Sequence, residues 1–228
     1  MHQANSSCSI RIRAVVASLA LTIITGPGAR ADTLNGLRSE GQVVILDAAR
    51  LQLLAGSPFQ CSSELNDAYR KARMPMGDSL ATLAEIRRRV VRQFLYLEDR
   101  SEAWTNLAPV MLDGGIGMGD CDDFAATIIS LALCAGIPKE KLGFAMASSI
   151  GEPSIDNIDH ALGLYFGEAG TQVIADTNRD RLRPYAAERD GVIFWQDIGS
   201  LNDRPGQYHA TVQIGSAMAE QNISLKER

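Results

Sequence analysis

The chain has 228 residues, 46% of them hydrophobic, and a formal net charge of −5. That length suits one domain with a sizeable core, with or without a helical extension. The acidic balance excludes a nucleic-acid binder that works through basic patches.

The first 31 residues read as a secretory signal peptide. Arg11 and Arg13 form a basic start, residues 14–25 are an apolar run of twelve, and Ala29-Arg30-Ala31 is a cleavage pattern ahead of Asp32. Twelve residues are too few to span a bilayer comfortably, and no later segment is long and apolar enough to do so. The expected mature chain, residues 32–228, holds 19 basic and 27 acidic residues, a net charge of −8. No stable membrane insertion is expected once the leader is gone. Cys8 leaves with the leader, so Cys61, Cys121 and Cys134 remain. Export permits disulfides, and an odd count leaves at least one thiol over. Cys134 sits on an apolar helix and is expected to pack as a small hydrophobe. A Cys61–Cys134 bridge stays open, and Cys121 is the natural free thiol.

Residues 36 to about 135 read mainly as helix. The stretch 35–56 is patchy, weakened by Gly36 and Gly41. Residues 79–99 are the clearest helix: Leu80, Leu83, Ile86, Val90, Val91, Phe94 and Leu97 recur at three- and four-residue spacing, and Ser79 can cap it. The run Arg87-Arg88-Arg89 reads as a solvated face of that helix. Next comes LDGGIGMGD. A phosphate-binding loop would need Lys-Ser/Thr where Asp120-Cys121 stands, and a dinucleotide fold would need a preceding strand and a βαβ unit. The glycines instead let the chain turn tightly into a helix. That helix starts near Asp120 to Asp122 and stops at Gly136. From residue 141 the pattern changes to β-runs: LGFAMASSI, HALGLYF, TQVIADT, GVIFW and YHATVQI, separated by turn residues. Helices followed by strands predict an α+β fold with an antiparallel sheet. Residues 151–157 read as an exposed loop and the tail after about 215 as loosely held.

The opening of the 120–136 helix carries the chemistry. Acidic residues in a first turn are ordinary architecture, because Asp120 can cap and carboxylates suit the helix dipole. A cysteine in that turn feels the same dipole, which lowers its pKa, and its own amide can face an oxyanion. Such a thiol needs a base. The mature chain has two histidines, His160 and His209. His209 alternates as an ordinary strand residue. His160 opens a strand, and Asp176 ends the next one, so a hairpin brings them together. The carboxylate can then select the imidazole tautomer, the third role in a nucleophile–base–orienter set. A metal site built on Cys121 and His160 lacks ligand-pair spacing.

GDCDDFA, then DHALGLYF, then VIADTN followed by RLRPY, resembles the bacterial transglutaminase-like cysteine peptidases, a family with adhesin-cleaving members in the periplasm. The resemblance covers roughly residues 80–190, including Trp104. It implies a papain-like transglutaminase core with the cysteine helix packed on the sheet. It implies Cys121 as nucleophile, His160 as general base and Asp176 as orienter. It also implies Ca2+ beside the cysteine, at the positions of Asp120 and Asp122. A bound cation would offset carboxylates that otherwise oppose a thiolate. The chain departs from the family at Phe124, where tyrosine is usual, in the absence of a lysine further along the cysteine helix, and at Thr177, which separates Asp176 from Asn178.

The expected function is an exported thiol hydrolase, in the periplasm or secreted beyond it, a cysteine endopeptidase acting on a cell-surface or periplasmic protein. Acyl transfer to an amine would use the same groups. The alternative is a catalytically impaired binding or regulatory domain that keeps the fold.

Overall fold

The computed structural model describes residues 59–98, 104–149, 158–203 and 207–211. Before residue 59 it describes the backbone of four short strands, β1 (Thr22–Ile24), β2 (Thr33–Leu34), β3 (Leu37–Arg38) and β4 (Val43–Ile45). The 151–157 loop and the tail lie outside the described residues. The remaining elements are α1 (Ser63–Lys71), α2 (Leu80–Gln93), β5 (Phe94–Tyr96), α3 (Ala108–Leu112), β6 (Gly117–Gly119) and α4 (Cys121–Cys134), followed by β7 (Leu142–Ala147), β8 (His160–Gly167), β9 (Gly170–Ala175), β10 (Arg183–Pro184), α5 (Ala187–Asp190), β11 (Val192–Asp197), α6 (Ile198–Asp203) and β12 (Gln207–Ala210).

From residue 63 the expected change of style is present, helices α1–α4 preceding an antiparallel sheet that β1 and β4 also join. Its strand order is β1-β4-β12-β11-β7-β8-β9-β10. The five apolar runs became β7, β8, β9, β11 and β12. Each alternates because a strand buries its two faces against different partners. In β7, Leu142, Phe144 and Met146 join the main core, while Ala145 and Ala147 join a cluster on the other face with Leu162, Leu164, Val173 and Trp195. His209 belongs to this second side, its ring stacked 4.6 Å from that of Trp195. Pro184 lies on the terminal strand β10, where no further strand needs an amide from it. At the other end, β1 falls within the expected leader. Its removal would leave β4 paired to β12 alone.

Helix α4 is the centre of the molecule. All but one of its residues are buried, the exception being Leu133. It packs on β8 and β9 on one side and on α1, α2 and α3 on the other. A helix enclosed this way needs no polar stripe, and its sequence is correspondingly apolar after the first turn. Gly136, with φ of 89°, ends it in a left-handed turn.

Three expectations are corrected here. The helix predicted over 79–99 ends at Gln93: the chain becomes extended at Phe94 and pairs parallel with β6, Leu95 opposite Met118. Pairing that lies far apart in sequence overrides local helical periodicity. Ser79 does cap the helix, accepting a hydrogen bond from the Thr82 amide. Second, Arg87 is not solvated. It is 3% exposed, while Arg88 and Arg89 sit outside and bind Glu85. Arg87 Nη2 donates to the carbonyls of Asp176 and Arg179, and its guanidinium lies 5.2 Å from the Phe124 ring centroid. Third, the stretch read as patchy helix over 35–56 holds strands β3 and β4 instead. The Cys61–Cys134 bridge, left open by the sequence, is present across a sequence separation of 73.

A buried guanidinium that satisfies two carbonyls leaves both unpaired when removed. Arg87→Met is therefore expected to cost about 2–4 kcal/mol in urea unfolding, whereas Arg88→Ala, on the surface, costs less than about 1 kcal/mol. Closing a loop of this length also restricts the unfolded chain, so Cys61→Ser with Cys134→Ser is expected to lower stability by about 4 kcal/mol.

Candidate active site

The tight approach to α4 is built around Asp123. Its carboxylate accepts hydrogen bonds from the amides of Thr105 (2.5 Å) and Asp120 (3.4 Å). Asp120 in turn accepts from the Asp122 amide at 3.3 Å, forming a capping box. Gly119 has no side chain because a Cβ there would run into the Asp123 carboxylate. Thr127, one turn further on, accepts from the Leu107 amide at 2.9 Å. The segment ahead of α3 is thus sewn to α4, and Trp104 is held there against Phe59 and Phe144.

Asp120, Asp122 and Asp123 are all buried, and one carboxylate oxygen of each lies within 4.8 Å of the others. Burial, reinforced by the neighbouring Asp120 and Asp123 charges, pushes the Asp122 carboxyl up to about 10. Asp123 was present in the DCDD motif but was not among the expected ligand positions.

Cys121 opens α4 in the first turn, as expected, and is 1% exposed. It is not a free thiol in the full-length chain. It is disulfide-bonded. The expectation of a free Cys121 concerned residues 32–228, which lack Cys8. The amides of Asp122 and Asp123 already donate to carboxylates, and that of Phe124 donates to the Asp120 carbonyl. These three are therefore committed elsewhere and do not supply a second oxyanion donor.

The hairpin of β8 and β9 brings His160 and Asp176 together, as the strand arithmetic required. His160 Nε2 lies 3.1 Å from Asp176 Oδ1, and both residues are buried. With its proton on Nε2, the ring donates to the carboxylate. The other nitrogen, Nδ1, is buried and has no hydrogen-bond partner. Asp176 also accepts from the Asn178 amide at 2.9 Å and from Arg183 Nη2 at 2.7 Å. Burial alone would push the Asp176 carboxyl up. The His160 and Arg183 contacts and the Asn178 amide outweigh it, and hold the carboxyl well below the usual range. Thr177, which breaks the Asp-Asn pair, leaves Asp176 as the residue that meets the ring.

Arg87 links this pair to the cysteine helix. Its guanidinium touches the Asp176 carbonyl and also covers Phe124, one turn along α4 from Cys121. Phe124 stands edge-on to Phe94 at 4.8 Å, so the aromatic ring at this position serves packing. Arg183, Arg87 and Asp190 were missed from sequence, because nothing in their spacing marks a contact made across strands.

No family model matches the chain, and no curated protein matches it. Among solved structures it is similar to three forms of LapG from Legionella pneumophila. The calcium-bound form aligns over 71% of this chain and 98% of that one, with 16% identity and a TM-score of 0.42. A second LapG structure aligns over 74% and 99%, at 17% identity and 0.41. The EGTA-treated form aligns over 81% and 98%, at 17% identity and 0.46. This is a remote relation of fold, and nothing below rests on it. Among the described residues no helix is long and apolar enough to cross a membrane.

The two buried carboxyls predict opposite pH effects. Asp176 has a lowered pKa in the folded state, so its contribution is full above its unfolded value of about 4 and is lost as pH falls below that. Asp176→Asn should flatten the acid limb of a stability–pH curve. Asp122 has a raised pKa, so the fold loses stability as pH rises from about 4 towards its folded value. Asp122→Asn should raise the Tm of metal-free protein at neutral pH, measured by calorimetry in chelator.

Proposed function

We propose that the chain is the precursor of an exported cysteine peptidase that uses Cys121, His160 and Asp176. The observation that carries this reading is the buried His160–Asp176 pair, with Nε2 on the carboxylate and Nδ1 unengaged. A carboxylate on one nitrogen makes the other an acceptor, which is what a general base needs. Phe124 and Asp176, on either side of Arg87, bring the start of α4 to the same corner.

The reading requires Cys121 as a thiol. A mature chain beginning at Asp32 holds three cysteines, two of them in the Cys61–Cys134 bridge. A chain that loses its leader before its cysteines oxidise would thus keep Cys121 as a thiol, since proteolysis alone reduces no disulfide. His160 Nδ1 would take the thiol proton as sulfur attacks the carbonyl carbon of a protein substrate. The same proton would go to the leaving amine, and water would hydrolyse the thioester. Asp176 would stabilise the imidazolium and hold its orientation.

The acidic trio fits a hard divalent cation such as Ca2+: the donors are all oxygens, they converge, and their mutual repulsion is otherwise relieved only by a proton on Asp122. Asp120 and Asp122 would hold it, Asp123 being engaged by two amides. When bound, the cation would offset the negative charge beside Cys121 and so favour the thiolate.

A second reading, a binding or regulatory domain without catalysis, has observations in its favour. Cys121 is buried, and His160 Nδ1 makes no bond to it. By alternation His160 also shares the parity of Leu162 and Leu164, which pack on the face away from α4.

Alkylation of residues 32–228 at pH about 6 separates the two, since an ordinary thiol with a pKa near 8.5 reacts slowly there. The peptidase reading expects fast labelling at Cys121, lost in His160→Ala and slowed by chelator. Slow labelling of Cys121 with and without Ca2+ would leave the binding domain.

A further inference from the structure

We propose that Arg183 is a positioning residue for the His160–Asp176 pair, clamping the carboxylate from the side opposite the imidazole. Its catalytic meaning rests on the function proposed above; its geometry does not.

Asp176 uses its two oxygens differently. Oδ1 takes the His160 ring and the Asn178 amide, whereas Oδ2 takes Arg183. A carboxylate held at one oxygen can still turn about its Cβ–Cγ bond. Held at both, it cannot turn without breaking a charge-assisted bond. Arg183 is itself fixed. It sits opposite Val173 where β10 pairs with β9, and its other nitrogen, Nη1, donates to Asp190. Asp190 is fully buried at its side chain and also accepts from the Ala186 amide at 2.8 Å. The planar fork of one arginine thus spans two carboxylates, which a lysine ammonium cannot do in the same geometry. Arg87 completes the frame by holding the Asp176 carbonyl from α2.

Other charged groups reach the same corner. Arg87 lies on α2, Asp180 in the turn after Asp176, and Arg189 beside Asp190. None of them contacts Oδ2; Arg183 alone does so among the described contacts. The arrangement therefore runs His160, Asp176, Arg183, Asp190, with alternating charge when the ring is protonated. In that state Asp176 faces a cation on each side and has no reason to take the ring's proton.

The test reads the ring rather than the reaction. In 15N-labelled residues 32–228, the His160 Nε2–H proton, held on Asp176, is expected as a downfield, slowly exchanging signal. Arg183→Met should abolish it, and Arg183→Lys, which keeps charge but loses the fork, should hasten its exchange. Asp190→Asn, which frees the other prong, should do the same. In parallel, Cys121 alkylation at pH about 6 should fall at least about ten-fold in Arg183→Met. A lowered Tm with an unchanged His160 signal in all three variants would make Arg183 merely structural and overturn the proposal. If Arg183→Met does not fold, Arg183→Lys and Asp190→Asn decide by the same signal. Should wild-type Cys121 prove unreactive, the peptidase reading fails while the ring signal still reports on Arg183.

Discussion

Three carboxylates are buried at the start of a helix that is itself the core of the molecule, and the rest of the site follows from that constraint. A helix N-terminus welcomes negative charge, and Asp120 and Asp123 use it to satisfy amides of the first turn and of the preceding segment. Asp122 accepts from the Asp123 amide, but burial and its neighbours outweigh that bond. Burial and the neighbouring carboxylates push its carboxyl up to about 10. The same helix start carries Cys121. The electrostatic state of this one turn therefore governs both the stability of α4 and the ease of forming a thiolate.

The second half of the site solves the opposite problem. Asp176 is also buried, yet it stays ionised because three donors converge on it and Arg87 holds its backbone. Two buried aspartates a short way apart in the fold are thus pushed in opposite directions by their surroundings. Separating the behaviour of chemically identical groups in this way is how a fold assigns them different tasks. Arg87 belongs to both halves, since its guanidinium covers Phe124 on α4 while donating to the turn after β9. A shift in either half would be transmitted through that side chain.

In the full-length chain Cys121 is buried and disulfide-bonded. The Cys61–Cys134 bridge fastens the far end of the same helix. The two ends of α4 are then chemically distinct. One is stapled to the segment ahead of α1, and the other opens among three buried aspartates.

Much of this was legible beforehand, for physical reasons. Capping chemistry, the stop at Gly136 and the five alternating strand runs are local properties, and each appears where the residues place it. The meeting of His160 and Asp176 was also readable, because a hairpin makes strand ends neighbours by arithmetic. What the sequence could not disclose were contacts whose partners lie far apart along the chain. Nothing in Arg87-Arg88-Arg89 says that the first arginine turns inward, since that depends on which face of α2 meets the turn after β9. The early end of α2 at Phe94 was decided by pairing with Gly117, which local periodicity cannot register. The Cys61–Cys134 bridge needed α1 and α4 to be packed together. So residue types and their spacing determined the elements and the chemistry on offer, whereas tertiary packing decided which charges are buried, which are paired, and which aspartate stays ionised.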